Sequence, residues 1–264
     1  MLFNSAFPYP PVHSKLVSSQ QVLVSDPNSN ALAEIKSSGI AVTNDNARVA
    51  EQSNILFMCT KPDIILPALQ AIASRLKPNV LIVSIAAGLT LESIESIVPN
   101  HKVVRVMPNT PALVGASASA FTIGQQCNDE DGALVQRLLS SIGLAVRVNE
   151  KDLNGVTGLS GSGPAFVFMF IEALADGGVR SGLTRTVAMQ LAIQTVLGSA
   201  KLMESTGKHP GQLKDQVASP GGTTIAGIHA LEHGALRSTV MDAVFAAANR
   251  AKELGQPSKI KSKL

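Results

Sequence analysis

Short β-branched runs alternate with stretches of helical period from about residue 21 to residue 148, an alternation that predicts βαβ units wound into a parallel sheet. Strands are expected over 21–25, 40–43, 55–59, 80–85 and 103–107. The runs Ile55-Leu56-Phe57-Met58 and Val80-Leu81-Ile82-Val83 are apolar at every position, as strands covered by helices on both faces must be. Between them helices are expected over 30–38, ending at Gly39, and over 46–52, 63–76 and 91–98, the last capped by Thr90. A shorter βαβ addition follows, with a strand over 118–123, a helix over 129–141 and a strand over 145–148.

Beyond Asn149 the pattern is helical only. Residues 164–178 are apolar around most of the helical circumference, which predicts a helix buried on all sides, and 184–205 and 236–254 supply long amphipathic partners. The expected fold class is α/β. A Rossmann-like parallel-sheet domain spans 21–149 behind an atypical leader, 1–20, and is followed by an all-helical domain over 150–256 and a basic tail, 257–264. A helical domain with one wholly apolar helix completes its core across a subunit interface, so a homo-oligomer built from dimers is expected.

Composition narrows the function. A chain of 264 residues, 45% hydrophobic, is long enough for one or two domains with a sizeable core. A net charge of only +3 and 3% aromatic residues argue against a nucleic-acid stacking surface. Cys59 lies in an apolar run and Cys127 in a polar turn, a usage without metal spacing or disulfide framework that fits a reducing compartment. The longest apolar runs are interrupted short of the ~20 residues that cross a bilayer, so no transmembrane helix and no membrane partner are expected. The leader lacks acids and arginine and is broken by Pro8, Pro10 and Pro11, leaving a transit peptide and an unstructured start both open. The final Ser262-Lys263-Leu264 reads either as a peroxisomal address or as the end of a solvated tail with Lys259 and Lys261. A cytoplasmic location is expected, with mitochondrion and peroxisome as the alternatives.

The candidate chemistry centres on Ser219-Pro220-Gly221-Gly222-Thr223-Thr224, standing before an apolar-periodic stretch. The free N–H groups of a first helical turn carry partial positive charge, glycines let an anion approach the backbone, and hydroxyls add adjustable donors. That combination suits a carboxylate; a plain capped helix is the simpler alternative. His101, His209, His229 and His233 lack a carboxylate or cysteine partner at recognisable spacing, and no metal site is expected. His209-Pro210 instead starts a helix with proline at its first position.

Together with Met107-Pro108-Asn109-Thr110-Pro111 and Gly158-Leu159-Ser160-Gly161-Ser162-Gly163-Pro164-Ala165-Phe166, this run closely resembles the pyrroline-5-carboxylate reductases, from about Gln21 to about Leu254. The resemblance implies reduction of a cyclic imino acid, 1-pyrroline-5-carboxylate, to L-proline by a hydride from NADPH or NADH, the last step of proline synthesis, and dimerisation through the helical domain. It implies that Ser219, Gly221, Gly222 and Thr223 hold the substrate carboxylate and that Thr224, the catalytic candidate, hydrogen-bonds the ring nitrogen. Ser25 and Asn28 then lie by the adenosine ribose, where Asp26 favours a free 2′-hydroxyl and the other two a 2′-phosphate, so the choice of nicotinamide stays open. Asn46 approaches the ribose phosphate or caps its helix. Lys61, followed by Pro62, faces phosphate or solvent. Ala86, Ala87 and Gly88, with Met107, Asn109, Thr110 and Pro111, line the nicotinamide and its ribose. Gly161-Ser162-Gly163 permits either close approach to the nicotinamide side or close helix packing.

One family element is not found. No G-x-G-x-x-G follows a strand, and the family's first strand and glycine turn would fall before residue 21. Weakened cofactor binding is therefore expected, and a non-catalytic oligomer subunit is the main alternative. A β-hydroxyacid dehydrogenase is a further one, although the apolar helix lacks the lysine that chemistry uses.

Overall fold

The computed structural model describes residues 16–255. The expectations for residues 1–15, among them the family's first strand, and for the tail and its final tripeptide lie outside the described residues. The chain divides into two compact units, one formed by residues up to Ser162 together with those from Phe245 onward, the other by Gly163–Val244.

In the first unit a parallel pair, β1 (Leu23–Ser25) and β2 (Ala41–Thr43), accompanies a five-stranded sheet. That sheet runs in chain order through β3 (Ile55–Met58), β4 (Leu81–Ser84), β5 (Lys102–Met107), β6 (Ser117–Ile123) and β7 (Gly143–Arg147). The pairings β3–β4, β4–β5 and β6–β7 are parallel, but β5 and β6 run antiparallel, which corrects the wholly parallel expectation. The reason is local. Only a short 3-10 segment, Thr110–Val114, joins β5 to β6, too little chain for a crossover.

The helices of this unit are α1 (Ser29–Ser37), α2 (Asn46–Gln52), α3 (Pro62–Ile72), α4 (Leu91–Glu95), α5 (Asp129–Ser140) and the single turn α6 (Leu153–Val156). The third ends at Ile72 and tightens into a 3-10 turn, Ala73–Arg75, rather than running to Leu76. Successive β3 residues feed opposite faces: Leu56 and Met58 join Ile65, Leu69 and Ile94 on one side, while Phe57 and Cys59 join Val135, Leu138 and Leu139 on the other. Both faces are thus covered, which is why these strands are apolar throughout. At the turn after α1, Gly39 takes φ +77°, the left-handed conformation that ends a helix cheaply only at glycine.

The second unit contains α7 (Gly163–Arg180), α8 (Arg185–Thr206), α9 (Pro210–Gln216) and α10 (Thr223–His233), together with the start of α11 (Leu236–Leu254). Its buried centre is small, consisting of Ala175, Ala188 and Ala192 with Ile171, Val179 and Met189 against them. Within one chain the apolar helix is not buried on all sides: Phe168 and Met169 on α7 are 63% and 70% exposed, and Val167 and Leu174 are exposed as well. One chain brings too few helices to cover that circumference. A window within Glu150–Arg180 reaches a mean hydropathy of 1.3, enough by length and composition alone for a membrane span, but the π-turn Thr157–Gly161 interrupts the stretch. Its apolar surface calls for a partner of some kind.

Candidate functional site

Ligands of open α/β sheets bind outside the carboxyl ends of the strands, and most cofactor candidates of the first unit sit there. Ser25 ends β1, buried, and its hydroxyl donates to Asn46 Oδ1 at 2.7 Å. That proton is therefore not available to a phosphate. Asn46 is the first residue of α2 but does not cap it, since Asp45 accepts the Ala47 amide at 2.9 Å. Asn28 caps α1, its Oδ1 accepting the amides of Asn30 and Ala31 at 3.0 and 3.4 Å. Asp26 is 8% exposed and accepts the Asn28 amide at 2.8 Å, so one carboxylate oxygen closes a local turn.

At the end of β3, Lys61 is the N-cap residue of α3 and Pro62 its first residue, both exposed. Beside them Thr60, which the sequence reading gave no role, has a buried hydroxyl without a hydrogen-bond partner among the described residues. A buried orphan hydroxyl costs about 1–3 kcal/mol, and a bound polar group would satisfy it. After β4, Ala86 and Ala87 lead into Gly88, at φ +83°, whose carbonyl lies against Gly255 at the end of α11, where no Cβ fits. These features fit a dinucleotide along the strand ends.

The segment after β5 is tied down most firmly. Asn109 Oδ1 accepts from the Ala118 amide at 2.9 Å and from the Ser117 hydroxyl at 3.1 Å, and its Nδ2 donates to the Ser160 carbonyl at 3.1 Å. Ser160 belongs to a π-turn, Thr157–Gly161, closed by Ser162 N–H to Thr157 O at 2.8 Å. A methyl on Gly161 would stand 2.5 Å from Met107 Cε, so the glycine permits this approach within the first unit. The motifs at 107–111 and 158–161, far apart in sequence, are here one structure. Gly163 meets nothing that would exclude a side chain. Thr110 and Pro111 form the 3-10 turn, half-buried or exposed.

In the second unit, Gly221 takes φ +65° and Gly222 is the N-cap of α10, with no side chain accepting from the first turn. Thr223 and Thr224 open the helix, leaving first-turn amides free for an anion. Gly222 differs from the expectation: its amide donates to Ser219 O at 3.1 Å, and a methyl there would collide with Ser219 Oγ. Its contribution is space rather than a donor.

Other polar groups fall outside these clusters. His209 caps α9, its Nδ1 accepting the Gly211 amide at 3.1 Å. Glu232 pairs with Arg237 at 2.7 Å, and no group of three His, Cys, Asp or Glu among the described residues is arranged to hold a metal ion. A cleft lined by Glu92, Glu95 and Gln125 lies at the amino end of β5, the wrong end for the ligands of this fold. The sequence reading also missed the part-buried pair Arg105–Glu150, 45 positions apart with no local signal.

Comparison with known proteins agrees with this architecture. The family model for pyrroline-5-carboxylate reductase dimerisation matches residues 150–254, and that for NADP oxidoreductase, coenzyme F420-dependent, matches residues 12–88. The pyrroline-5-carboxylate reductase of Arabidopsis thaliana is 47% identical over 229 residues, covering 87% of this chain and 83% of its own. That of Methanosarcina acetivorans is 46% identical over 219 residues, covering 83% and 81%. The crystal structure of the Plasmodium falciparum pyrroline carboxylate reductase with NADP bound superposes with a TM-score of 0.87 at 33% identity, covering 96% of this chain and 94% of that one. The Coxiella burnetii reductase gives 0.86 at 32%, with 93% of each chain covered. A Rossmann-like sheet followed by a helical dimerisation domain defines an NAD(P)H-dependent oxidoreductase. The chain belongs to the pyrroline-5-carboxylate reductase family.

Proposed function

We propose that this chain reduces 1-pyrroline-5-carboxylate to L-proline with NADPH or NADH, completing proline synthesis. The observation that carries the proposal is the start of α10, where a left-handed Gly221, an uncapped first turn and three hydroxyls offer a carboxylate its donors. The amides of Gly221 and Thr223 and the Ser219 hydroxyl hold the carboxylate, and Gly222 leaves room for it. Thr224 orients the ring nitrogen through its hydroxyl. A bound nicotinamide supplies the hydride that the carbon of the C=N bond accepts, while the nitrogen keeps its proton as the amine. A protonated imine is already electrophilic, so the protein contributes chiefly orientation and exclusion of water.

Along the cofactor, the turn at 25–28 takes the adenosine ribose, with Asn46 near its phosphate, and Lys61 and Pro62 at the end of β3 reach toward the pyrophosphate. Residues 86–88 and 107–111 line the nicotinamide. Asp26, buried, spends one carboxylate oxygen on the Asn28 backbone amide, and the Nδ2 protons of the Asn28 side chain remain to meet a 2′-phosphate; both support NADPH as the better cofactor. The exposed face of α7 supports a homo-oligomer built from dimers, in line with the name of the family model over 150–254.

A thermal-shift series tests the carboxylate site. Proline should raise the melting temperature in the presence of cofactor, and Gly222→Val should abolish the rise; an unchanged rise places the carboxylate elsewhere. The alternative reading is a non-catalytic oligomer subunit. Titration with NADPH followed by fluorescence separates the two, because a non-catalytic subunit of this kind shows no saturable binding.

A further inference from the structure

We propose that Asn109 is a positioning residue, whose carboxamide clamps the π-turn Thr157–Gly161 onto the start of β6 and thereby fixes the wall formed by Met107 and Gly161. The inference rests on the proposed reductase reading and adds to it a residue that acts through its neighbours.

The geometry is specific. A carboxamide has two acceptor lone pairs and two donor hydrogens. Both acceptor positions of Asn109 are used, by the Ala118 amide and the Ser117 hydroxyl, and one donor goes to Ser160 O. One side chain therefore joins the segment after β5, the first two residues of β6 and the π-turn. Its oxygen is fully engaged with the protein itself.

The π-turn needs such a clamp. An i→i+5 turn is rare and leaves carbonyls misaligned with the helical ladder, and it recurs at functional sites. Two hydroxyls brace it from within, Thr157 Oγ1 donating to Leu153 O at 2.8 Å and Ser160 Oγ to Val156 O at 3.1 Å. Only Asn109 braces it from outside its own segment by a side-chain hydrogen bond among those found in the described residues. Gly161 then meets Met107 at a separation where even a methyl would force the thioether to move. Met107 ends β5 at its carboxyl end, where ligands of this fold bind, so the clamp sets the position of a site wall.

Asn109→Asp isolates the clamp. The carboxylate keeps both acceptor functions but cannot donate to Ser160 O, and it sets a negative charge against that carbonyl. In the full-length protein, hydrogen exchange should quicken locally at the Ser162 amide by ~10-fold or more, with the amides of β5 unchanged. Maximal turnover with pyrroline-5-carboxylate at saturating NADPH should fall by ~10- to 100-fold, as misplacement by about an ångström does. Asn109→Ala removes the same bond to Ser160 O without adding a charge and should reproduce both effects, so the test survives if the first variant fails to fold. Unchanged exchange at Ser162, or unchanged turnover at saturating NADPH, overturns the proposal. If the wild-type chain shows no turnover, the reductase reading fails, and exchange at Ser162 still decides whether Asn109 holds the turn.

Discussion

Arg105 Nη1 and Glu150 Oε1 are 2.8 Å apart, with the arginine side chain 8% and the glutamate 35% exposed. The same Glu150 oxygen accepts the Leu91 amide at 2.6 Å, at the start of α4. One carboxylate thus neutralises a cation on the central strand β5, caps a helix and anchors the chain where the sheet ends and the helices begin. Glu150→Ala strands the buried guanidinium and should destabilise the protein by about 3 kcal/mol, measured by urea denaturation. The double variant Arg105→Met/Glu150→Leu removes both charges and should lie nearer the wild type than Glu150→Ala does. Equal losses in the two variants would show that the ion pair is not the source.

Phe168 and Met169 present large apolar surfaces on α7 that one chain leaves uncovered. Sedimentation of the full-length protein should show a dimer or larger assembly, and Phe168→Glu should shift it toward monomer, since loss of an interface anchor costs about 2 kcal/mol or more. A Phe168→Glu protein that sediments like the wild type would remove this face from the interface.

Burial pushes the Cys127 thiol above its ordinary value of 9.0, against the opposing effect of backbone hydrogen bonding at Gly124. The folded protein therefore holds this proton to higher pH than the unfolded chain does. Stability is unaffected by the group below pH 9 and falls as pH rises past the unfolded value toward the folded one. Near neutral pH, Cys127 should alkylate more slowly in the native protein than in urea, and Cys127→Ser should lessen the alkaline loss of stability. Equal alkylation rates would contradict the burial argument.

The buried Asp26 and its bond to Asn28 lead to a cofactor preference. Fluorescence titration should give a lower dissociation constant for NADPH than for NADH. Asn28→Ala should narrow the gap by removing a donor to the 2′-phosphate, with Asp26 left in place. A chain that binds NADH more tightly would show Asp26 reaching the ribose after all.

The strands of the first unit were legible because burial on both faces leaves Ile55-Leu56-Phe57-Met58 and Val80-Leu81-Ile82-Val83 without polar positions, a local signal. The antiparallel β5–β6 junction was not, because it depends on how little chain lies between Met107 and Ser117 rather than on either strand's own pattern. The covering of α7 was legible only in part, for a related reason. Apolar residues all round a helix state that it will be covered, but Phe168 does not say by which chain. Among site residues, the glycines and hydroxyls of 219–224 were visible as a helix start. The engagement of Gly222 N with Ser219 O, the Ser25–Asn46 bond and the reach of Asn109 to Ser160 depend on tertiary placement.

The central claim is tested most directly by adding 1-pyrroline-5-carboxylate to the purified chain with NADPH and following both nicotinamide oxidation and the appearance of L-proline. One proline should form for each NADPH oxidised, with no oxidation in the absence of the imino acid, and Thr224→Val should depress the rate without abolishing NADPH binding. Saturable NADPH binding without substrate-dependent oxidation, or oxidation that yields no proline, would contradict the assignment of this chain as a working reductase.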